Sequence, residues 1–290
     1  MGAANVIPGV SGGTIAFITG IYERLIEALK SCDGKALRYL LKFDFGRFAK
    51  RIDFGFLAAL GAGAVASVLT LAKVLKEAYG SHPVLVDAFF FGLILASIFS
   101  VGRMVKRWSL LGIVALLLGL GLAVWLAFLS PASENSHPLY LMACGIAGMC
   151  SMIIPGVSGS FILLLMGNYQ LVMLDAVNNL RQFNFADSLP ILIPVAIGAV
   201  LGLIVLSRVL SWLFRRYHDT AVALITGFVA GSLVIIWPWK QAVYSKAVAD
   251  KVIAYDRHLP DLTNSSAWIA IACLIGGIAV IVVTEKLSSK

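Results

Sequence analysis

The sequence has little charge for its length. Only 13% of its 290 residues are Asp, Glu, Lys or Arg, whereas 60% are hydrophobic. A soluble domain carries about twice that share of charged residues. Together with a mean hydropathy of +0.92, this scarcity excludes an ordinary soluble domain and predicts a membrane protein.

Residue types that hold metals or form disulfides are also scarce. The four cysteines show no Cys-x-x-Cys spacing, and the four histidines lie scattered at the ends of apolar segments. Cysteines in apolar segments are typically small core residues. We therefore expect no metal and no cofactor. Residues Met1–Tyr22 contain no charge, so we expect no cleavable signal peptide, because such a peptide starts with basic residues.

Basic residues nevertheless outnumber acidic ones, and the net charge is +8. They lie between apolar runs and do not form a nucleic-acid-binding pattern, so we expect no nucleic-acid partner. Their distribution is typical of the topology signals of membrane proteins, whose cytoplasmic loops are rich in Lys and Arg.

Six apolar runs are long enough to cross a bilayer, which takes about 20 residues. These predicted spans are Phe54–Leu75, Pro83–Val101, Ser109–Leu129, Leu189–Phe214, Thr220–Trp237 and Ala267–Thr284.

One motif occurs twice outside these runs. Residues Ile7–Thr14 read IPGVSGGT, and residues Ile154–Phe161 read IPGVSGSF, with six consecutive identities. The match continues in register with Ile15 and Ile162, Gly20 and Gly167, and Tyr22 and Tyr169. Such similarity indicates an internal repeat. In a membrane protein, a repeated pair of segments interrupted by Gly and Pro points to a transport site.

The two halves of the chain match beyond the motif, for example at Gly63 and Gly198 and at Gly92 and Gly227. We therefore predict an all-α polytopic membrane protein with two repeats, residues 1–129 and 138–285. Each repeat holds a re-entrant helical hairpin, residues 4–30 or 138–177, followed by three spans. Because three is odd, the second repeat is expected to be inverted. In this scheme the first hairpin lacks its leading arm, which leaves open a truncated or misplaced start.

The charge distribution agrees with inverted repeats. Fourteen Lys and Arg residues fall on one predicted side and six on the other. The richer side holds those of Lys30–Arg51, Gly102–Trp108, Arg215 and Arg216, and the C-terminal end. The richer side is expected to be cytoplasmic, with both termini inside.

Two polar segments lie between the spans. Residues 32–52 alternate basic and apolar side chains. They predict either a basic cytoplasmic loop or an amphipathic helix on the anionic inner leaflet. Residues Pro238–Ser266 predict an external loop, with or without a short helix.

The repeated motif has the chemistry of an anion site. Its Pro-Gly pair breaks a helix at membrane depth, which is tolerated only inside protein or along a wet cavity. We expect a new helical run after each break, at Thr14–Lys30 and Phe161–Val177. The first N–H groups of such helices are unpaired and favour phosphate or carboxylate. The candidate ligands are Gly9, Ser11, Gly12, Gly13, Thr14, Gly156, Ser158, Gly159 and Ser160. The alternative is that these small residues only permit tight packing.

Four charged residues near the motifs are candidate partners for the anion. Glu23 and Arg24 follow the first motif but have no counterparts in the second. Lys73 and Arg208 occupy equivalent positions near span ends. They are either anchors that reach the membrane surface or cations that hold the phosphate.

Two acidic residues and two tyrosines complete the set of candidates. Asp87 and Asp175 lie near segment ends. They are either solvated or sites for a coupling proton or sodium ion. For Tyr22 and Tyr169 we expect packing roles.

The stretch ANVIPGVSGGTIAFITGIYE, residues Ala4–Glu23, resembles the signature of a bacterial and archaeal membrane family, the polyprenyl-phosphate transporters. The resemblance covers essentially the whole chain, including the second motif. It implies a flippase in the cytoplasmic membrane that returns undecaprenyl phosphate to the inner leaflet for cell-envelope synthesis. Members of this family usually carry a short apolar stretch before the signature.

Two other function classes stay open. A small-anion transporter or channel would use the same helix starts. Undecaprenyl-pyrophosphate phosphatases have a similar Pro-Gly-x-Ser motif, but an arginine follows their serine where this chain has Gly12 and Gly159. Without that arginine, stabilisation of a phosphoryl transition state is hard to explain, so we expect no enzyme. Coupling to a proton or sodium gradient and assembly into a homo-oligomer also stay open.

Overall fold

The computed structural model describes residues 12–244 and 252–288, and it is 76% helical. The helices are α1 (Gly12–Ile18), α2 (Tyr22–Lys30), α3 (Gly34–Leu41), α4 (Phe45–Arg51), α5 (Phe54–Ser81), α6 (Pro83–Gly102), α7 (Leu110–Ala127), α8 (Pro138–Ile153), α9 (Gly159–Leu165), α10 (Ala176–Arg181), α11 (Phe185–Arg216), α12 (His218–Ser232) and α13 (Ser265–Ser288). A π-helical segment, Gln170–Asp175, precedes α10, and strands β1 (Lys240–Tyr244) and β2 (Val252–Arg257) precede α13.

Among the described residues, four helices are long and apolar enough to cross a membrane: α6, α7, α11 and, within α13, residues Ser265–Val283. Large apolar side chains such as Leu110, Val205 and Ile275 lie exposed on these helices. Soluble proteins rarely expose so much apolar surface to water, whereas the lipid chains of a bilayer would cover it. The protein is therefore a largely helical membrane protein, as its composition predicts.

The predicted span Thr220–Trp237 is wrong in length. Helix α12 has 15 residues and ends at Ser232, so it is about 22 Å long. Beyond Ser232, the backbone carbonyl oxygens of Val234 and Ile235 accept hydrogen bonds from side chains rather than from helical N–H groups. Lys240 Nζ donates to the carbonyl oxygen of Ile235 at 2.7 Å, and Arg257 Nε donates to that of Val234 at 3.0 Å.

In the described part of the segment Pro238–Ser266, the chain forms a β-hairpin, and no short helix is found there before α13. Strands β1 and β2 pair antiparallel, with Lys240 opposite Arg257 and Ala242 opposite Tyr255. Both strands contain the β-branched and aromatic residues that favour extended structure.

Helices α6 and α13 pack closely, and so do α7 and α12. A side chain on Gly92 of α6 would overlap the carbonyl oxygen of Leu274, and one on Gly227 of α12 would overlap that of Leu116. Gly92 and Gly227 are the residues that match in sequence. Both lie at close helix crossings, where small residues let two backbones approach each other.

The core lies where α2, α6 and α12 meet. Its fully buried residues include Tyr22, Ile26, Ile94, Val222 and Ile236. Because α2 directly follows the first motif, this core holds the motif region in place.

Residues 32–52 contain two short helices, α3 and α4. Asp33 caps α3 by accepting hydrogen bonds from the N–H groups of Lys35 and Ala36, and it pairs with Arg51 at the end of α4. The side chains of Leu41 and Phe43 are exposed. The location of this segment on the membrane stays a prediction.

Candidate functional site

The two motif copies meet in the folded chain. The backbone N–H of Gly156 donates a hydrogen bond to the hydroxyl oxygen of Thr14 at 2.8 Å. Thr14 is only 1% exposed. A polar side chain of the first copy therefore satisfies a backbone donor at the helix break of the second copy, 142 residues away in sequence. This bond places the two halves of the predicted site side by side.

Gly156 is required by both conformation and space. Its φ angle is +95°, which side-chain-bearing residues rarely adopt. A Cβ atom there would lie 2.8 Å from the carbonyl oxygen of Phe228 and 3.1 Å from the Cα of Val229, both in α12. The second motif therefore packs directly against α12.

The second motif continues into α9 with its two serines side by side. The Ser158 and Ser160 hydroxyl oxygens lie 2.7 Å apart, and both residues are half-buried. Ser158 stands at the N-cap of α9, and its side chain makes no capping hydrogen bond. Gly159 packs close to the carbonyl oxygen of Gly148, so α9 folds back against α8. The hydroxyl groups thus lie at a tight reversal of the chain.

The first motif is described only from Gly12 onward. Gly9 and Ser11 lie outside the described residues. Gly12 and Gly13 are buried at the start of α1. The role of these residues in binding phosphate stays a prediction.

The predicted helical runs Thr14–Lys30 and Phe161–Val177 are each interrupted. Helices α1 and α9 have seven residues each. They end before Gly20 and Gly167, whose φ angles are +72° and +74°, a left-handed turn that glycine adopts without strain. An anion site here depends on hydroxyl and N–H donors rather than on a long helix dipole.

The first of the two repeated tyrosines has a specific partner. The Tyr22 hydroxyl group donates to the carbonyl oxygen of Ile153 at 3.2 Å, and Tyr22 is 1% exposed. Ile153 is the last residue of α8, so no N–H group of the same helix is available to donate to its carbonyl oxygen. The repetition of this tyrosine is the signal that could have predicted a role beyond packing.

The predicted charge partners do not gather at the motifs. Glu23 accepts from His218 at 3.0 Å, and Arg24 pairs with Asp53 at 2.7 Å. Arg208 is exposed on α11. The side chain of Lys73 lies outside the described residues. The proposed role of all four in phosphate binding stays untested.

Sequence comparison assigns this chain to a known family. A family described as undecaprenyl phosphate translocase-like matches residues 1–252. The chain belongs to this family. It is 35% identical over 299 residues to a polyprenyl-phosphate transporter of Vibrio cholerae serotype O1, covering 100% of this chain and 94% of that protein. It is 29% identical over 252 residues to a polyprenyl-phosphate transporter of Staphylococcus aureus, covering 82% and 83%. No solved structure matches.

In this translocase-like chain, a charged cluster joins α2 to the junction of α11 and α12. Glu27 accepts from Arg215 at 2.9 Å and from the Ser211 hydroxyl group. Lys30 Nζ donates to Ser211 at 2.7 Å. Of these residues, Glu27, Ser211 and Arg215 line a cavity of about 120 Å³. Sequence reasoning missed it because its members lie more than 180 residues apart.

Arg257, the last residue of β2, is a second candidate site residue that the sequence did not indicate. It lines a cavity of about 100 Å³ beside Phe161 and Leu164 of the second motif region. Its guanidinium group donates to the carbonyl oxygen of Val234 and lies 4.9 Å from the centre of the Phe128 ring. Among the described residues it has no acidic partner within ion-pair distance. A cation without a carboxylate partner beside an apolar cavity suits an amphipathic phosphate.

The part of the chain that the structure describes contains no group of three His, Cys, Asp or Glu side chains arranged to hold a metal. Its four cysteines are free thiols, and Cys144 is buried. Asp175 is exposed on the π-helical segment, whereas Asp87 is 2% exposed near the start of α6.

Proposed function

We propose that this protein is a flippase of polyprenyl phosphate in the bacterial or archaeal cytoplasmic membrane. In this role it returns undecaprenyl phosphate to the inner leaflet for cell-envelope synthesis. The family match and the names of the two transporter relatives support this function. The hydrogen bond between Thr14 and Gly156 is the observation that carries it, because it joins the two halves of one candidate anion site.

The main energetic barrier to this transport is the passage of the charged phosphate head through the membrane. Moving a bare anion through hydrocarbon is prohibitively costly. Hydroxyl and N–H donors at membrane depth lower that cost, while the prenyl tail remains among the lipid chains. The exposed apolar surfaces of α7, α11 and α13 provide a boundary along which such a tail can lie.

The head-binding site of this proposal has two parts. Ser158 and Ser160, with the donors of the first motif, hold the phosphate oxygens. Arg257 attracts the head from the hairpin side and neutralises part of its charge. The half-buried serines and the cavity beside Phe161 support this arrangement.

The proposal includes two inverted repeats, each with a re-entrant hairpin. Helices α6 and α7 of the first repeat correspond to α12 and α13 of the second. Each of these helices packs against a helix of the other repeat, α6 against α13 and α12 against α7. This exchange supports a two-fold relation between the halves. Rocking of the repeats against each other would then alternate access to the site.

The topology of this proposal follows from the Lys and Arg distribution. Both termini and the α3–α4 segment face the cytoplasm, and the β-hairpin faces outside. Bilayer lipids surround the spans, and a homo-oligomer remains compatible with the exposed helix faces.

Transport by the purified protein in liposomes tests this function. Fluorescent or isotopically labelled undecaprenyl phosphate is placed in one leaflet, and its appearance in the other is followed. We expect the intact chain to move the lipid, Ser158→Ala with Ser160→Ala to slow it at least tenfold, and the control Ser67→Ala on α5 to leave it unchanged.

Two further outcomes would reject the proposal. Flux of inorganic phosphate without lipid movement would indicate a small-anion transporter. Release of phosphate from undecaprenyl pyrophosphate would indicate an enzyme.

A further inference from the structure

Asp87 is a buried carboxylate that the transport site does not use. It lies in the second turn of α6, and its side chain is 3% exposed. One carboxylate oxygen, Oδ2, pairs with Lys240 Nζ at 3.1 Å. The other, Oδ1, is buried and makes no hydrogen bond of good geometry among the described residues, although the Tyr79 phenol of α5 lies beside the carboxylate. A buried carboxylate oxygen left without a donor is costly, so this site has a place for one more proton.

Lys240 is held between this carboxylate and the end of α12. Its side chain is 14% exposed, and its Nζ also donates to the carbonyl oxygen of Ile235 at 2.7 Å. Burial lowers the pKa of Lys240, whereas the charge of Asp87 opposes this shift. Because Lys240 is the first residue of β1, the ion pair fastens the β-hairpin to the start of α6 and to the end of α12.

Helix α12 connects this ion pair to the candidate transport site. Just beyond its C-terminal end, Ile235 accepts a hydrogen bond from Lys240. One to two turns earlier, Phe228 and Val229 pack directly against Gly156. Gly156 lies so close to the backbone of Phe228 and Val229 that no Cβ atom would fit between them. A movement of the end of α12 would therefore also move the second motif.

Among the described side chains, few other titratable groups face Asp87. Helix α5 brings the phenol of Tyr79 beside the carboxylate, and the hairpin brings Tyr255 and Arg257 close to Lys240. His82 precedes α6. The other elements packed on α6 are α1, which has no acidic or basic residue, α12, which has His218 and Asp219 at its opposite end, and α13, which has none before Glu285. Among the described residues, Lys240 is therefore the cation that pairs with Asp87.

Water can approach this region from the hairpin side. A cavity of about 540 Å³ lies between the start of α6, residue Trp239 next to Lys240, and the start of α13. His82, His258 and Asp261 line it together with apolar side chains. The cavity ends at Trp239, the residue before Lys240, and so offers a proton an approach to the ion pair from the hairpin side.

We propose that Asp87 is a proton-binding site whose occupancy releases Lys240 and thereby frees the β-hairpin and the end of α12 next to the second motif. The carboxylate takes one proton from water on the hairpin side and becomes neutral. Lys240 then has no counter-ion and turns toward the cavity beside Trp239. Loss of the proton restores the ion pair. This inference rests on the proposed function only where it links the release to lipid transport.

The release itself is tested without transport, by amide hydrogen exchange of the purified protein in nanodiscs. The Asp87→Asn variant imitates the neutral carboxyl group. At one fixed pH, we expect faster exchange in β1, β2 and the end of α12 than in the unmodified protein, and equal exchange in the core of α6. The control Asp256→Asn removes an exposed acid of the same hairpin and is expected to exchange like the unmodified protein. Equal protection in Asp87→Asn and the unmodified protein would overturn the proposal.

The link to transport is tested in liposomes in which the pH of the hairpin-side compartment is varied alone. For one proton, the protonated fraction changes up to about tenfold per pH unit. We expect the lipid transport rate to follow this dependence, and Asp87→Asn and Lys240→Met to lose it. The double variant, which leaves no unpaired charge, serves to confirm folding.

The two ideas fail in different ways. If the unmodified protein moves no lipid but Asp87→Asn still loosens the hairpin, the proposed function fails and the proton site stands. If lipid moves and Asp87→Asn keeps the full pH dependence, the proton site is refuted and the proposed function stands.

Discussion

Tyr22, which follows the first motif, closes the broken helix of the second repeat by donating a hydrogen bond to the carbonyl oxygen of Ile153. Removing the hydroxyl group in Tyr22→Phe leaves a buried carbonyl without its partner. We expect the thermal stability of the purified protein to fall, with a loss of about 1 kcal/mol. The matched control is Tyr169→Phe, at the repeat-equivalent and half-buried position. An equal effect of both changes would contradict a specific role for Tyr22.

Thr14 tests the bond between the two motif copies. Thr14→Val keeps the shape but leaves the buried N–H of Gly156 unsatisfied, which costs about 1–3 kcal/mol. Thr14→Ser keeps the hydroxyl group. We therefore expect Thr14→Val to lower both stability and lipid transport, and Thr14→Ser to retain most of each. Denaturation and transport assays on the two variants measure this, and equal behaviour would show that the hydroxyl group is dispensable.

Gly227 tests the close contact between α12 and α7. Its Cβ would overlap the carbonyl oxygen of Leu116, so Gly227→Ala forces the helices apart. We expect a loss of about 1–3 kcal/mol, as for other overpacked cores. Gly121→Ala on α7 is the control, because a Cβ there meets nothing within 4 Å. That change is expected to leave stability equal or higher, since alanine favours helices by about 1 kcal/mol over glycine.

Asp33 gives the α3–α4 segment a predictable pH dependence. The hydrogen-bonded guanidinium group of Arg51 holds the pKa of Asp33 well below its usual range. A carboxyl group with a lowered folded pKa stabilises the fold fully above the unfolded value of about 3.9 and loses this effect as the pH falls through the folded value. We expect α3 and α4 to remain joined at pH 5 and to separate in strong acid. Limited proteolysis of residues 32–52 across this range measures it, and Asp33→Asn should be cleaved faster even at neutral pH.

Arg257 tests the cation proposed for the phosphate head. Arg257→Gln removes the charge, and we expect the dissociation constant for undecaprenyl phosphate to rise about tenfold or more, because a hydrogen bond to a charged group contributes about 1.5–3 kcal/mol. Arg257→Lys is expected to bind with intermediate affinity, since it keeps the charge but not the planar donor pair. Arg216→Gln, at the C-terminal end of α11, is the control. Unchanged affinity in Arg257→Gln would remove this residue from the site.

Much of the fold is visible in the sequence because its signals are local. Long apolar runs predict α6, α7, α11 and α13, since a bilayer span needs only about 20 consecutive apolar residues. The Pro-Gly pair at Pro155 breaks the helix wherever that segment lies in the fold. The internal repeat also marks the candidate site, because repetition can be read without any knowledge of contacts.

Other features depend on which segments meet. The length of α12 could not be read from its apolar run, because Lys240 and Arg257 replace its next helical hydrogen bonds. Likewise, the sequence leaves Asp87 as a choice between a solvated end and a coupling site, and only the structure shows that Asp87 is buried against Lys240.

The class of protein, most of the long apolar helices and the two motifs can be predicted from the sequence, because hydropathy, helix breaking and charge distribution act over a few neighbouring residues. The hydrogen bond between Thr14 and Gly156, the one between Tyr22 and Ile153 and the ion pair between Lys240 and Asp87 are visible only in the folded chain. These partners lie 142, 131 and 153 residues apart. Their contacts arise from close packing between helices, which no local pattern of residues encodes.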